Sequence, residues 1–284
     1  MHITIQLSEK KIQWIVWSLL LLMPIVGMAV DLISPSLPAI TRGLNIPAHL
    51  AKDVISIYLL GYALGNFITG FIADAWGRKK LLRMSLAAFF IISLLPVLFP
   101  DIKMLLTARF LQGLTLGAVA VLARTIFSDV LEPEKLVRLG VLIGTMWGLG
   151  PIIGPIIGGY LQFYFGWKAG FCFFAAITLI SFISIFIIIP ETHFNRHALN
   201  VKTITKNLTE VLTHHLFIAI VILMGCAYSL IIIFNTMGPF LIQETLHYSP
   251  VFFGHVALWL GIIFLLSTLF CRQLLKLLYF LFAL

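Results

Sequence analysis

Apolar and polar residues fall in long blocks along this chain. Eight apolar stretches, near residues 12–33, 54–73, 81–99, 104–126, 139–160, 168–189, 215–241 and 250–270, alternate with mostly short polar connections. Each holds about 20 residues, enough at a helical rise of about 1.5 Å per residue to cross hydrocarbon about 30 Å thick. In hydrocarbon every backbone amide needs an internal partner, so a spanning segment is either a helix or part of a closed barrel. The alternation of a barrel strand is absent, and the blocks predict an all-α integral membrane protein with about eight transmembrane helices. One polar segment, from Glu191 to about residue 214, is longer than the rest and includes Thr192, Asn195, Arg196, Lys202, Lys206 and Glu210. It divides the chain into an N-terminal six-helix bundle (1–190), a linker (191–214) and an incomplete second bundle (215–284) of two spans and a tail. That tail, Leu274 to Leu284, is apolar apart from Lys276 and too short to cross by itself.

Composition agrees with a lipid solvent, since 61% of residues are apolar and 11% charged, against about 25% charged in soluble chains. The net charge of +8 does not point to nucleic acid, because the cations recur in short clusters between apolar blocks. Placing Lys10 and Lys11 on the same side as the 74–80 turn puts fourteen of the nineteen Lys and Arg on cytoplasmic segments. Arg42, Lys52, Lys103 and Lys168 fall outside, and Arg109 lies within a span. This asymmetry predicts a multi-pass protein with a cytoplasmic N-terminus. No small-residue cleavage site follows the first block, so that helix is expected to stay in the mature protein. Cys172, Cys226 and Cys271 lie far apart without CxxC spacing and read as buried small hydrophobes. His193 and His197 stand four apart, but without cysteines or a carboxylate set they predict no metal site. The chain has no GxxxxGK[ST] phosphate loop and no GxSxG nucleophile pattern, so neither an enzyme nor a cofactor is expected.

Two ionisable residues sit inside spans: Asp31 near the outer end of the first, and Arg109 in the fourth. Intramembrane charge is costly, at about 2.5–3.5 kcal/mol on insertion scales, and marks a candidate site. Asp31 lies about 30 Å of helix beyond Lys11, and Arg109 about 9 Å from Lys103, so both belong to the outer half of the bilayer. Burial favours a neutral carboxyl and a neighbouring guanidinium favours the carboxylate, so relative movement of the two would switch proton binding. The alternative is that Asp31 only terminates its helix ahead of Ser34, Pro35 and Pro38 while Arg109 snorkels outward. Asn66, Gln112, Tyr58, Met146 and Trp147 are further candidates for a cavity lining suited to amphipathic ligands. Gly140, Gly144 and Gly148, spaced by four, predict a helix face on which a neighbour packs closely. Gly150, Pro151, Gly154, Pro155, Gly158 and Gly159 continue it, with prolines that bend the rod.

Four segments carry a family resemblance. The segment Gly70-Phe71-Ile72-Ala73-Asp74-Ala75-Trp76-Gly77-Arg78-Lys79-Lys80 resembles the turn between the second and third helices of major facilitator superfamily transporters. Arg109-Phe110-Leu111-Gln112-Gly113 with Gly117 resembles the fourth-helix motif, whose arginine is associated with proton transfer. Gly150 to Gly159 resembles the fifth-helix motif of the antiporter branch, and Asp31-Leu32-Ile33-Ser34-Pro35-Ser36-Leu37-Pro38 resembles helix one of twelve-span drug:proton antiporters, the bicyclomycin-resistance (Bcr/CflA) subfamily above all.

The resemblance implies a bacterial inner-membrane antiporter that exports small drug-like or antibiotic substrates against protons, with Asp31, Arg109 and Gln112 at the coupling site. It makes Gly70, Asp74, Gly77, Arg78 and Asp129 a conformational-switch cluster, with Ala75 replacing the usual basic residue. It implies no cofactor and leaves the oligomer open. A metabolite transporter of the same superfamily remains an alternative. Bundles of six would be complete before the linker and short by four helices after it, so the chain reads as C-terminally truncated, as a transport-inactive product, or as a membrane interaction partner.

Overall fold

In the computed structural model the backbone is described over residues 8–192 and 201–282, and the side chains over the same ranges except 74, 201–204, 206, 207, 268, 269 and 271–282. Among the described residues, eight helical stretches are long and apolar enough to cross a membrane. The chain is all-helical, as the block pattern predicts.

The first span is not one rod. Helix α1 covers Glu9–Leu20 and α2 covers Met23–Met28. Pro24 has no N–H to offer the Leu20 carbonyl and its ring crowds that oxygen. The ladder tightens there, with Leu22 N donating to Leu19 O at 3.1 Å. After Met28 the chain passes through turns and a 3-10 turn at Ser34–Ser36 before α3 (Leu37–Leu44). The helix expected over 12–33 therefore ends early, and Asp31 lies in the break.

Helix α4 spans Ala48–Trp76 and α5 spans Arg78–Leu98. Gly77 alone joins them at φ 89°, a backbone shape that a Cβ disfavours. The turn expected over 70–80 is thus narrower than its composition suggests. Gly70 belongs to α4, with nothing from another element within 4 Å of where its Cβ would be among the described residues, and the Asp74 side chain lies outside the described residues. Helix α6 (Ile102–Val130) is capped by Asp101, whose carboxylate accepts from Lys103 N at 2.8 Å and Met104 N at 3.3 Å. Helices α7 (Pro133–Phe165) and α8 (Ala169–Ile188) are the fifth and sixth spans. The linker contains helix α9, Val201–Thr213; His193 and His197 lie outside the described residues. Helix α10 (His215–Phe240) runs into a wide turn at Leu241–Thr245, and α11 covers Pro250–Phe282. The tail read as a separate stretch continues α11, because no Gly or Pro interrupts residues 262–282.

Close packing rests on small residues at crossings, as expected where lipid offers no hydrophobic gain for association. Methyl groups at Gly61 and Gly65 of α4 would press on the Phe110 and Leu114 carbonyls of α6; methyls at Gly113 and Gly117 would press on the Tyr58 and Tyr62 carbonyls. Between the first span and α7, Gly150 meets Gly27, Gly154 meets the Cβ atoms of Met28 and Asp31, and Gly158 meets Leu32. Gly159 and Gly254 bring α7 and α11 together. The expectation for Gly140, Gly144 and Gly148 fails: among the described residues nothing lies within 4 Å of where their Cβ would be. That half of α7 diverges from α1, leaving a cavity of about 500 Å³ bordered by Glu9, Gln13, Glu132, Lys135, Arg138 and Leu139. Cys172 and Cys226 are exposed rather than buried, because the outward faces of these helices are apolar too; the Cys271 side chain lies outside the described residues.

Candidate functional site

The site grows from interrupted backbone. In the break after α2, Ile33 N donates to Val30 O at 3.2 Å, which leaves the Ala29 carbonyl without its regular helical donor. Arg109 of α6, 1% exposed, supplies one: its NH2 donates to Ala29 O at 3.2 Å. Its Nε donates to Val54 O of α4 at 3.1 Å and its NH1 to Gln112 Oε1 at 3.2 Å. The guanidinium also lies 4.2 Å from the centre of the Tyr58 ring, a cation–π contact. Gln112 Nε2 then donates to Ser93 Oγ at 2.9 Å, and Ser93 Oγ to Phe89 O at 2.7 Å. A fixed guanidinium fork thus ties together the broken first span, α4 and α6.

Asp31 is buried in the same break but takes a different partner. Among the described residues no ion pair joins it to Arg109; Asn235 Nδ2 of α10 donates to Asp31 Oδ1 at 2.8 Å. The two charged residues are neighbours in depth, with Arg109 holding a carbonyl two positions before Asp31, yet each is satisfied separately. Neither snorkels: Asp31 is 4% exposed. Asn235, itself buried, also accepts at its backbone carbonyl from Ser34 Oγ. That carbonyl is open because Pro239, four residues on, has no N–H.

Further contacts around Asn235 join the first six spans to α10 and to the turn that follows it. Gln243 Nε2 donates to Pro35 O at 2.8 Å, Arg42 pairs with Glu244 at 3.3 Å, and Lys52 lies 5.0 Å from the Phe240 ring centre. The 500 Å³ cavity opens at the opposite end, which carries Arg78.

At that end Arg78 pairs with Asp129, and its NH1 also donates to Thr125 O at 3.3 Å. Asp129 accepts from Thr192 Oγ1 at 2.8 Å, and Glu191 Oε1 from Arg78 N at 3.1 Å. The structure therefore brings Arg78 and Asp129 together with Glu191 and Thr192 at the start of the linker. It brings the Gly150-to-Gly158 run of α7 against the Asp31 break, with Pro151 and Pro155 within that run.

Sequence reasoning missed Asn235. The available signal was one carboxamide in a 26-residue helix that is otherwise almost wholly apolar, four residues before a proline. It also missed Gly61 and Gly65, whose spacing answers that of Gly113 and Gly117.

Comparison with known proteins bears on the whole of this arrangement. The chloramphenicol resistance protein CraA of Acinetobacter baumannii is 25% identical over 224 residues, covering 79% of this chain and 54% of that protein. The bicyclomycin resistance protein homolog of Haemophilus influenzae is 26% identical over 180 residues, covering 63% of this chain and 45% of its own. The chain thus spans about half the length of these relatives. A D-xylose-proton symporter shares the fold at a TM-score of 0.70 and 16% identity, over 93% of this chain and 69% of the symporter. The family model described as Major Facilitator Superfamily matches residues 19–283. With that match across nearly its whole length, the chain is a multi-pass membrane protein belonging to the major facilitator superfamily of transporters.

Proposed function

We propose that the chain supplies the first bundle and the opening helices of the second in a proton-coupled antiporter. It exports small amphipathic compounds, antibiotics among them, across the bacterial inner membrane, with its N-terminus in the cytoplasm. The observation that carries this reading is Asp31: a buried acid in a broken helix, facing the second bundle, with no ion-pair partner among the described residues. A carboxyl so placed can take a proton without first breaking a salt bridge, and it borders the interface where a substrate would sit. Arg109 and Gln112 hold the backbone around it in register. The resistance proteins among the relatives support a drug-like substrate.

In this reading the Asn235 end faces outward and is closed, and the cavity beside Lys135 and Arg138 opens inward. Arg78, Asp129, Glu191 and Thr192 form the cytoplasmic cluster that rearranges when the bundles rock. The test is drug-dependent proton movement in inverted vesicles containing the chain, against cationic and neutral antibiotics. A response in the wild type that Asp31→Asn abolishes, with insertion intact, is expected; unchanged efflux by that variant removes Asp31 from the mechanism.

A further inference from the structure

Asn235 is the one side chain of α10 that reaches Asp31 by a hydrogen bond among the described residues. Its Nδ2 is satisfied by the carboxylate, whereas its Oδ1 is buried with no partner. An unpartnered buried acceptor is costly, so its retention beside a proton-binding acid calls for an explanation. A carboxamide presents a donor and an acceptor from nearly equivalent positions. Toward a carboxylate only the Nδ2-facing orientation attracts, since an amide oxygen would repel it. Toward a protonated carboxyl the reverse holds, because the new O–H needs an acceptor.

We propose that Asn235 is a positioning residue that keeps the outer end closed over both protonation states of Asp31, its carboxamide turning over to accept the Asp31 O–H once a proton arrives. This rests on the export reading above. An exchanger must reorient with either passenger aboard, so its closure has to tolerate both the charged and the neutral acid; a Lys or Asp at 235 would serve only one. The backbone secures the carboxamide during the turn: Pro239 strips the Asn235 carbonyl of its helical donor, and Ser34 Oγ, three residues from Asp31, fills it. Other groups near Asp31 do not compete for this role. Arg109 is committed to Ala29, Val54 and Gln112; Tyr58 and Tyr228 stand near the acid without a hydrogen bond to it; and α7 presents Gly154.

The test places Asn235→Asp in the full chain, with Cys172, Cys226 and Cys271 replaced by Ala and the buried Ser36→Cys as reporter under the closed end. A membrane-impermeant maleimide is added outside right-side-out vesicles at about pH 5.5 and about pH 8.5, with each rate divided by that of the denatured chain. The parent with Asn235 labels slowly at both, within about threefold, because the carboxamide bonds the neutral and the charged acid alike. With Asn235→Asp, closure must retain one proton between two carboxylates, so labelling rises at least about tenfold from acid to alkaline pH. The exchanged pair, Asp31→Asn with Asn235→Asp, again has one acid and one amide and returns to the slow, nearly pH-independent pattern. Asn235→Leu, able to bond neither form, labels fast at both. Labelling of Asn235→Asp that is pH-independent, or an exchanged pair that behaves like Asn235→Asp, overturns the proposal. Failure of the parent to move protons with drug, while these rates follow the expected pattern, refutes the export reading and leaves the Asn235 contact supported.

Discussion

Gly113→Ala joins helix packing to the site in one substitution. Gly113 lies one turn beyond Arg109 on the same face of α6. A methyl there would sit 2.7 Å from Tyr62 N and 3.1 Å from the Gly61 carbonyl carbon, and closer still to the Tyr58 carbonyl oxygen. These are backbone atoms of α4, so no side-chain rotation relieves them. Ordinary contact begins near 3.4 Å, and the helices must part by at least about 0.7 Å. The Arg109 Nε–Val54 O bond, 3.1 Å long, crosses the same interface. Opened by that amount it leaves hydrogen-bonding range. Overpacking costs about 1–3 kcal/mol and loss of a charged donor's bond about 1.5–3 kcal/mol, offset by about 0.5–1 kcal/mol from replacing glycine within a helix. The net expectation is a destabilisation of about 2–5 kcal/mol. Gly148→Ala, with nothing within 4 Å among the described residues, keeps only the helical gain and should stabilise slightly. The assay is unfolding of the chain in mixed micelles titrated with dodecyl sulfate, followed by tryptophan fluorescence. Equal midpoints for the two variants would refute the reasoning.

Three further outcomes follow from the same geometry. Arg109→Lys keeps the charge but cannot reach Ala29 O, Val54 O and Gln112 Oε1 together, so it should cost about 2–4 kcal/mol in the same unfolding assay; wild-type stability would show that charge alone suffices. Pro239→Ala restores an N–H opposite the Asn235 carbonyl and competes with Ser34 Oγ, so labelling of the Ser36→Cys reporter should rise severalfold at every pH while α10 gains helical stability. Asp129→Asn weakens both the Arg78 pair and the acceptor for Thr192, for a loss of about 1 kcal/mol and faster proteolysis at the start of the linker; unchanged cleavage there would show that the Asp129–Thr192 bond does not hold the start of the linker.

The eight spans were legible because lipid imposes one strong rule, an apolar run about 30 Å long, and composition alone satisfies it. Asp31 and Arg109 were legible for the same reason, as charges where charge is expensive. What partnered them was not. The expected guanidinium beside Asp31 proved to be occupied by three acceptors, two of them main-chain carbonyls, and no side-chain pattern announces a freed carbonyl. The glycines of α7 show the same limit: spacing by four fits both Gly140–Gly148 and the run from Gly150, and only the divergence of α7 from α1 decides which meets a neighbour. Asn235 was hidden by its own modesty, an uncharged residue whose importance comes from the proline that follows it and from a partner 204 positions away.

The helix breaks explain why the candidate site lies where it does. In an apolar bundle every unbonded carbonyl costs several kcal/mol, and helices hide nearly all of them. Interruptions in the first span release Ala29 O and Pro35 O, and Pro239 releases Asn235 O in α10. Arg109, Gln243 and Ser34 take them up in turn. Two of these three bonds join the first six spans to α10 and the turn after it, so in the export reading the interrupted segments hold the outer end shut by satisfying each other. Opening that end strands the same groups unless water enters to replace the lost partners. In the export reading, closure is therefore dry and opening wet, and an acid set among those groups meets bulk protons only when the bonds around it have been exchanged for water.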